Sequence, residues 1–241
     1  MAKNILNNKN CLITGATGGI GKEISIQLAK NGCNLFLTGT NNEKLKSLTG
    51  HLTENYPDIT ISSKSCDLTN ISEINDLINQ IRNEFKIIDI LINSAGNFII
   101  KPLDNCEIED YEKIFNLNVR APMLLSKEFS NDMKNHNWGR IINLGSSSSY
   151  MGFKNGSFYC SSKFAILGLS RCLTAELKKF GIRTHCISPG STQTDMAKIS
   201  TDQNFSTFLN PIEVAKVTIF LLSFNKEMII DEIRLNRIKI E

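Results

Sequence analysis

A chain of 241 residues in which 41% of the side chains are hydrophobic has the material for one large α/β domain, and a net charge of +3 is too small to argue for nucleic acid or an anionic membrane as a partner. Seven cysteines with no C-x-x-C pair and no close cysteine-histidine spacing read as reduced structural thiols, which points to a cytoplasmic protein without a metal site. The first ten residues hold no apolar core of signal-peptide length, and the longest apolar runs, such as Ile87 to Ile92, are far too short to span a bilayer.

Cys11 to Thr14 is a short apolar run that opens into Gly15-Ala16-Thr17-Gly18-Gly19-Ile20-Gly21 and then a helical pattern marked by Ile24 and Leu28. Strand, glycine loop and helix in that order let the backbone approach a pyrophosphate, whose charge meets the free N–H groups and positive end of the helix. The same glycines also serve simply to close a strand-to-helix turn. Gly15, Thr17, Gly18, Gly19, Ile20 and Gly21 are thus candidate dinucleotide contacts.

The next strand, Asn34 to Thr38, runs into Gly39-Thr40-Asn41-Asn42, where such folds carry an Asp or Glu when they bind the free ribose 2'-hydroxyl of NAD. No acid stands there. Thr40 and Asn41 are neutral donors that would not repel a 2'-phosphate, so the loop leans towards NADP(H), although no arginine is present to grip that phosphate. Asn42 to Tyr56 reads as a helix ended by Pro57, and Thr60 to Ser65 as a strand. Asp67-Leu68 follows, either as a contact to an adenine amine or as an ordinary helix-preceding loop.

Ile71 to Phe85 has the spacing of an amphipathic helix, and Ile87 to Ile92 that of a strand buried on both faces. It ends in Asn93-Ser94-Ala95-Gly96, whose small residues leave room for a flat ring such as nicotinamide; Asn93 is placed to hydrogen-bond to neighbouring loops, or the motif is a structural turn. Asp110 to His136 predicts one long helix, disturbed in its middle by Asn118 and Pro122. Asn118 either faces the site, where it would hold a water, or is a plain helix defect.

Ile141 to Gly145 predicts a buried strand with Ser146 at its carboxyl end, the edge at which open α/β sheets bind ligands. Tyr159 and Lys163 lie four apart on one face of the helix that follows, which continues to Phe180 and stops at Gly181. A fixed ammonium lowers a phenol's pKa and equips it for proton transfer; the same spacing also occurs as a solvated surface pair. Arg183 to Ser188 is a further strand, leading into Pro189-Gly190-Ser191-Thr192-Gln193-Thr194 and a Ser/Thr/Asn-rich segment, about 191–210, with the composition of a closing lid. Pro211 to Ser223 reads as a helix and Glu232 to Leu235 as a last strand. Unbroken alternation of strand and helix implies a single α/β domain over 1–241, with a doubly wound parallel Rossmann-type sheet and helices on both faces.

These motifs together resemble the short-chain dehydrogenase/reductase family, in the branch that includes 3-oxoacyl-acyl-carrier-protein reductases. Thr14 to Gly21 matches its T-G-x-x-x-G-x-G loop, Asn93 to Gly96 its N-x-A-G turn, and Pro189-Gly190 with Thr194 its cofactor-clasping loop. Asn118, Ser146, Tyr159 and Lys163 match its catalytic tetrad. The resemblance implies an NADPH-dependent ketone reductase. Tyr159 would donate the proton, Ser146 would hydrogen-bond the carbonyl oxygen, Lys163 would bind the nicotinamide ribose and depress the phenol's pKa, and Asn118 would support a water relay. It also implies a homodimer or homotetramer packed through the helices around 110–136 and 158–180. The latter helix carries Phe164, Ile166, Leu167, Leu169, Cys172, Leu173 and Leu177 around more of its girth than one sheet-facing stripe needs.

Departures from that branch fall on the substrate side: the segment from Met228 to Glu241 has no glycine and the loop from Asp195 to Asn210 is short. A small ketone, a sugar-like carbonyl or a cyclic alcohol all suit the chemistry. A catalytically silent nucleotide-binding regulator and an assembly subunit are the competing classes.

Overall fold

The computed structural model describes residues 4–199 and 203–238; residues 200–202 of the expected lid and the last three of the carboxyl-terminal segment lie outside the described residues. Seven strands form one sheet, β1 (Asn10–Thr14), β2 (Asn34–Gly39), β3 (Ile61–Ser65), β4 (Ile90–Asn93), β5 (Gly139–Leu144), β6 (Ile182–Pro189) and β7 (Glu232–Leu235). Their order is β3-β2-β1-β4-β5-β6-β7, and every pairing is parallel. The chain winds outward from β1 to one edge, then returns to place β4 on β1's other side. That reversal opens a crevice at the carboxyl ends of β1 and β4, where dinucleotides bind in this architecture.

Side chains alternate between the two faces of the central strands. Cys11, Ile13, Leu35, Leu37, Ile90 and Ile92 belong to one core, with helices α1 (Gly19–Lys30), α2 (Asn42–Asn55) and α7 (Pro211–Leu222). Leu12, Phe36, Leu91 and Ile141 belong to the other, with α3 (Ile71–Phe85), α5 (Ala121–Asn135) and the end of α6 (Ser157–Leu177). Period-two alternation with apolar residues at both phases is what a sheet covered on both faces requires. Asn41, Asn70 and Asn210 cap α2, α3 and α7 through side-chain oxygens. Gly181 ends the α6 region at φ 70, where a Cβ would sit 2.4 Å from the Asn137 carbonyl.

Most expected element limits lie within two residues of those observed. Two differ for physical reasons. β4 begins at Ile90 rather than Ile87 because the Ile87 amide turns back to the Phe85 carbonyl (2.6 Å), and bonding to the neighbouring strands starts only with the Asp89 main chain. The helix expected over 110–136 is three segments: α4 (Ile108–Phe115), a π-helical turn over Asn116–Arg120, and α5. Pro122 has no N–H for the Asn118 carbonyl, and the wider turn accommodates that gap.

A polar ladder crosses the core beneath the sheet's carboxyl edge. Asn93 donates to the Asn143 side chain (2.8 Å), Asn143 to Ser170 Oγ (2.9 Å), and Ser170 to the Ile166 carbonyl (2.8 Å). Asn93 therefore bonds across to the next strand rather than to loops. Asn143→Ala leaves the buried Asn93 amide with only the longer bond to Ser126 Oγ (3.4 Å) and is expected to cost about 1–3 kcal/mol. Urea denaturation checks this; an unchanged midpoint would show that the ladder does not support the sheet.

Candidate active site

The site is built where β4, β5 and the first turns of α6 meet. Lys163 is buried, and its ammonium donates to the Leu144 carbonyl at the end of β5 (2.8 Å). One turn earlier, the Tyr159 ring lies with its centroid 5.8 Å from Lys163 Nζ. Ser146 follows β5 directly; its Oγ accepts from the Ser148 amide (3.1 Å), which leaves its own proton free to donate. Gly96 faces both remaining members: a Cβ there would lie 3.4 Å from Asn118 Oδ1 and 3.7 Å from Lys163 Nζ.

Asn118 is buried in the π-helical turn. Its Oδ1 accepts from the Asn97 amide (2.8 Å), while its Nδ2 donates to the Asn97 carbonyl and to Ser162 Oγ, both at 3.0 Å. Ser162 in turn donates to the Tyr159 carbonyl (2.7 Å). The side chain is a clamp between the loop after β4 and α6, so any water contact falls to the main-chain carbonyl that Pro122 leaves free.

Burial governs the titration of the pair. It pushes the Tyr159 phenol above its ordinary value, against the lowering effect of the Ser146 hydroxyl, and takes Lys163 down to about 8. The four-residue spacing alone does not set the phenol's pKa: the ammonium donates to the Leu144 carbonyl, and desolvation of Tyr159 prevails.

The glycine loop abuts this group. Gly15 has φ 62, and a Cβ on it would come within 2.7 Å of Ala95 Cα. Thr14 Oγ1 accepts from the amides of Ser94 and Ala95 (3.1 Å each), which ties the Asn93–Gly96 turn to β1. Gly21 touches the Gly15 carbonyl, and Gly19 faces Thr194, whose Cγ2 would lie 2.6 Å from an added Cβ. Pro189 ends β6, the Gly190 amide bonds to Leu235 (2.8 Å), and the buried Thr192 bonds back to Gly190 (2.9 Å). The loop after β6 thus lies against Gly19 through Thr194. Unlike α2, α3 and α7, α1 has no side-chain cap and no acid in its first turn. An uncapped helix start behind a backbone packed too tightly for Cβ atoms at Gly15, Gly19 and Gly21 fits a pyrophosphate.

Thr40 is exposed beyond β2, and Ser65 Oγ donates to its carbonyl (3.2 Å). Asn41's side-chain oxygen is committed to capping α2. Asp67 is exposed, but its carboxylate accepts from the Thr69 amide and hydroxyl, both 2.8 Å, and the Leu68 side chain is in the core, leaving main-chain atoms for contact. Two cations belong with this end of the site although no motif marked them. Lys22 and Lys44 line a cleft of about 970 Å³ with Thr17, Gly19 and Thr194, and Lys44 lies 3.7 Å from Asp195. Lys44's only sequence signal is a basic residue one turn into the helix after β2. Among the described residues no cluster has the makings of a metal site, and no helix is long and apolar enough to cross a membrane.

Comparison with known proteins gives concordant results. The short chain dehydrogenase family model matches residues 9–204. A 3alpha-hydroxysteroid dehydrogenase of Mediterraneibacter gnavus is 36% identical over 192 residues, 80% of this chain and 77% of that protein. A 3-oxoacyl-[acyl-carrier-protein] reductase of Rickettsia bellii is 33% identical over 227 residues, 90% of each. An alcohol dehydrogenase of the archaeon Thermococcus sibiricus, solved with 5-hydroxy-NADP, superposes with a TM-score of 0.87 at 22% identity, covering 96% of this chain and 97% of its own. With its family model, its relatives and its seven-stranded parallel sheet in agreement, this chain belongs to the short-chain dehydrogenase/reductase family of oxidoreductases.

Proposed function

We propose that the protein is an NADP(H)-dependent ketone reductase whose proton donor is Tyr159. The observation that carries this reading is the convergence of Ser146, Tyr159, Lys163 and Asn118 beside an uncapped glycine loop. A nicotinamide cofactor supplies the hydride when bound. The protein's own work is then proton transfer and orientation. Ser146, with a free hydroxyl proton, donates to the carbonyl oxygen of the substrate, and Tyr159 delivers its phenolic proton to that oxygen as charge develops there. Lys163 stabilises the resulting phenolate and holds a ribose hydroxyl; Asn118 positions the loop that carries Gly96 and Asn97.

Gly15, Thr17, Gly18, Gly19, Ile20 and Gly21 would hold the pyrophosphate, Asp67 and Leu68 the adenine, and Asn93, Ala95 and Gly96 the nicotinamide side, with Pro189, Gly190, Thr192 and Thr194 closing from above. Preference for NADP(H) is supported by the neutral Thr40 at the end of β2 and by the ammonium groups of Lys22 and Lys44, set against Glu23, Glu43 and Asp195 in the same cleft. The relatives named a hydroxysteroid dehydrogenase and an acyl-carrier-protein reductase suggest either a cyclic alcohol or a 3-oxoacyl group as substrate. We read the chain as one domain. Its seven free thiols favour the cytoplasm.

A homodimer or homotetramer is part of the same proposal. On α6, Ile166, Leu167 and Leu177 are buried, whereas Phe164 and Cys172 are exposed, and the Gly168 between them has open space above it. Tyr111 and Met123 expose further apolar surface on α4 and α5. A two-fold pairing of α6 faces would cover Phe164 and use the close approach that Gly168 permits.

Three outcomes test these readings. Tyr159→Phe is expected to cut NADPH-linked carbonyl reduction by about 10²- to 10⁴-fold while leaving cofactor affinity nearly unchanged; substantial activity in the variant would refute the proton-donor role. Side-by-side kinetics should favour NADPH over NADH, and Lys44→Ala should narrow the ratio; an NADH preference in the parent protein would overturn the reading of Thr40. Light scattering at micromolar concentration should give a dimer or tetramer, with Phe164→Arg shifting it to monomer. A monomeric parent protein would contradict the assembly.

A further inference from the structure

The loops that frame the mouth of the site carry aromatic and aliphatic side chains where a polar substrate would need hydrogen-bonding ones. Phe98 meets Tyr159 edge to face, with centroids 4.6 Å apart and planes at 77°. Phe153, from the loop after β5, lies 6.2 Å from Phe98 and 6.4 Å from Tyr159. The two loops are joined by a backbone bond from the Lys101 amide to the Asn155 carbonyl (2.9 Å), so the rings form one wall rather than two independent side chains. Phe153 is seated on Gly156, where an added Cβ would come within 2.6 Å of the ring. It is nonetheless 41% exposed, and Met151 beside it is 64% exposed.

Charge is sparse along these two loops, and Arg234 and Glu232 meet Tyr150, next to Met151, at one end of the wall. From Ser94 to Ile100 no residue is charged, and Lys154 is the one charged residue from Gly145 to Gly156. Lys101 is taken up by Asp110 (2.6 Å), and across the mouth Lys198 is taken up by Asp195 (2.7 Å). The Asn97 amide and carbonyl are both engaged by Asn118, and the Asn97 side chain accepts from the Phe98 amide (2.8 Å). A sugar or sugar acid entering here would lose water from most of its hydroxyl groups and gain few partners, which is costly, whereas an apolar ring would cover exposed aromatic surface.

We infer that Phe98, Phe153 and Met151 form an apolar substrate wall, and that the protein takes carbonyl compounds with an alicyclic or similarly apolar body in preference to polyhydroxylated ones. The inference rests on the proposed role of Tyr159, because the wall is defined by its contact with that ring. It divides the substrate classes left open by the motifs: cyclic, apolar ketones fit, and sugar-like carbonyls do not.

The test compares 2-decalone with fructose as acceptors for NADPH, with calorimetric binding of each in the presence of NADP+. Decalone is expected to have the higher kcat/KM by about tenfold or more, the scale set by small differences in apolar contact. Phe153→Ser should raise the KM for decalone about tenfold with kcat within about twofold, and Phe153→Leu should restore it. Equal or better reduction of fructose, or a KM for decalone that Phe153→Ser leaves unchanged, overturns the wall while leaving the oxidoreductase reading intact. Saturable decalone binding that is weakened in Phe153→Ser, without turnover of either compound, upholds the wall and overturns the role of Tyr159. Absence of decalone binding overturns the wall outright.

Discussion

The structure around the site depends on keeping the Lys163 ammonium out of water. Among the described residues no carboxylate pairs with it; its partner is the Leu144 carbonyl, and burial alone brings its pKa from 10.5 to about 8. A buried cation without a counter-charge is costly, and such a group persists where it meets an electronegative ligand in function. Its neighbours are built to that end. Gly145 lets the end of β5 close against β6, since a Cβ there would fall 2.5 Å from Ser188 Oγ, and Gly96 leaves the approach to Lys163 Nζ open. Asn118 then fixes the loop after β4 to α6, so that Tyr159 and Lys163 are presented by a rigid helix rather than by a mobile loop.

Two halves of the site answer to different chemistry. On the side of β1 and β2, glycines with unavailable Cβ space, an uncapped α1 and the ammonium groups of Lys22 and Lys44 suit a phosphate-bearing, negatively charged molecule. On the side of β5 and α6, aromatic rings and buried hydroxyls suit a reacting carbonyl on an apolar body. Burial raises the Tyr159 phenol, which keeps it protonated at neutral pH, the form that the proposed proton donor requires. A buried cation nearby gives its conjugate base somewhere to be stabilised once the proton has left.

Much of this was legible in the residues because the sheet is covered on both faces: runs such as Cys11 to Thr14 and Ile141 to Leu144 have no polar phase, and each is followed by the small residues that a ligand edge needs. Ser146 was marked by its place after a strand and Tyr159 with Lys163 by their four-residue spacing, whereas the set of four with Asn118 came from the family resemblance. Three features were not legible. The π-helical turn at Asn116–Arg120 depends on where one missing N–H falls in a helix, which periodicity does not register. The direction of the Tyr159 shift depends on burial, and sequence proximity to Lys163 pointed the other way. Lys22, Lys44, Phe98 and Phe153 gain meaning only when loops far apart in sequence are brought to one edge.

The most direct measurement is proton uptake on NADP+ binding, read by calorimetry in buffers of different ionisation enthalpy from pH 6 to 10. Lys163 is largely neutral above about pH 8 in this fold, and a ribose hydroxyl accepting from its ammonium favours the charged form, raising its pKa towards the ordinary 10.5. Binding is therefore expected to take up protons between about pH 8 and 10, with the uptake fading towards pH 6 and lost in Lys163→Met. No uptake across that window, or the same uptake in Lys163→Met, would contradict the placement of Lys163 at the heart of the site.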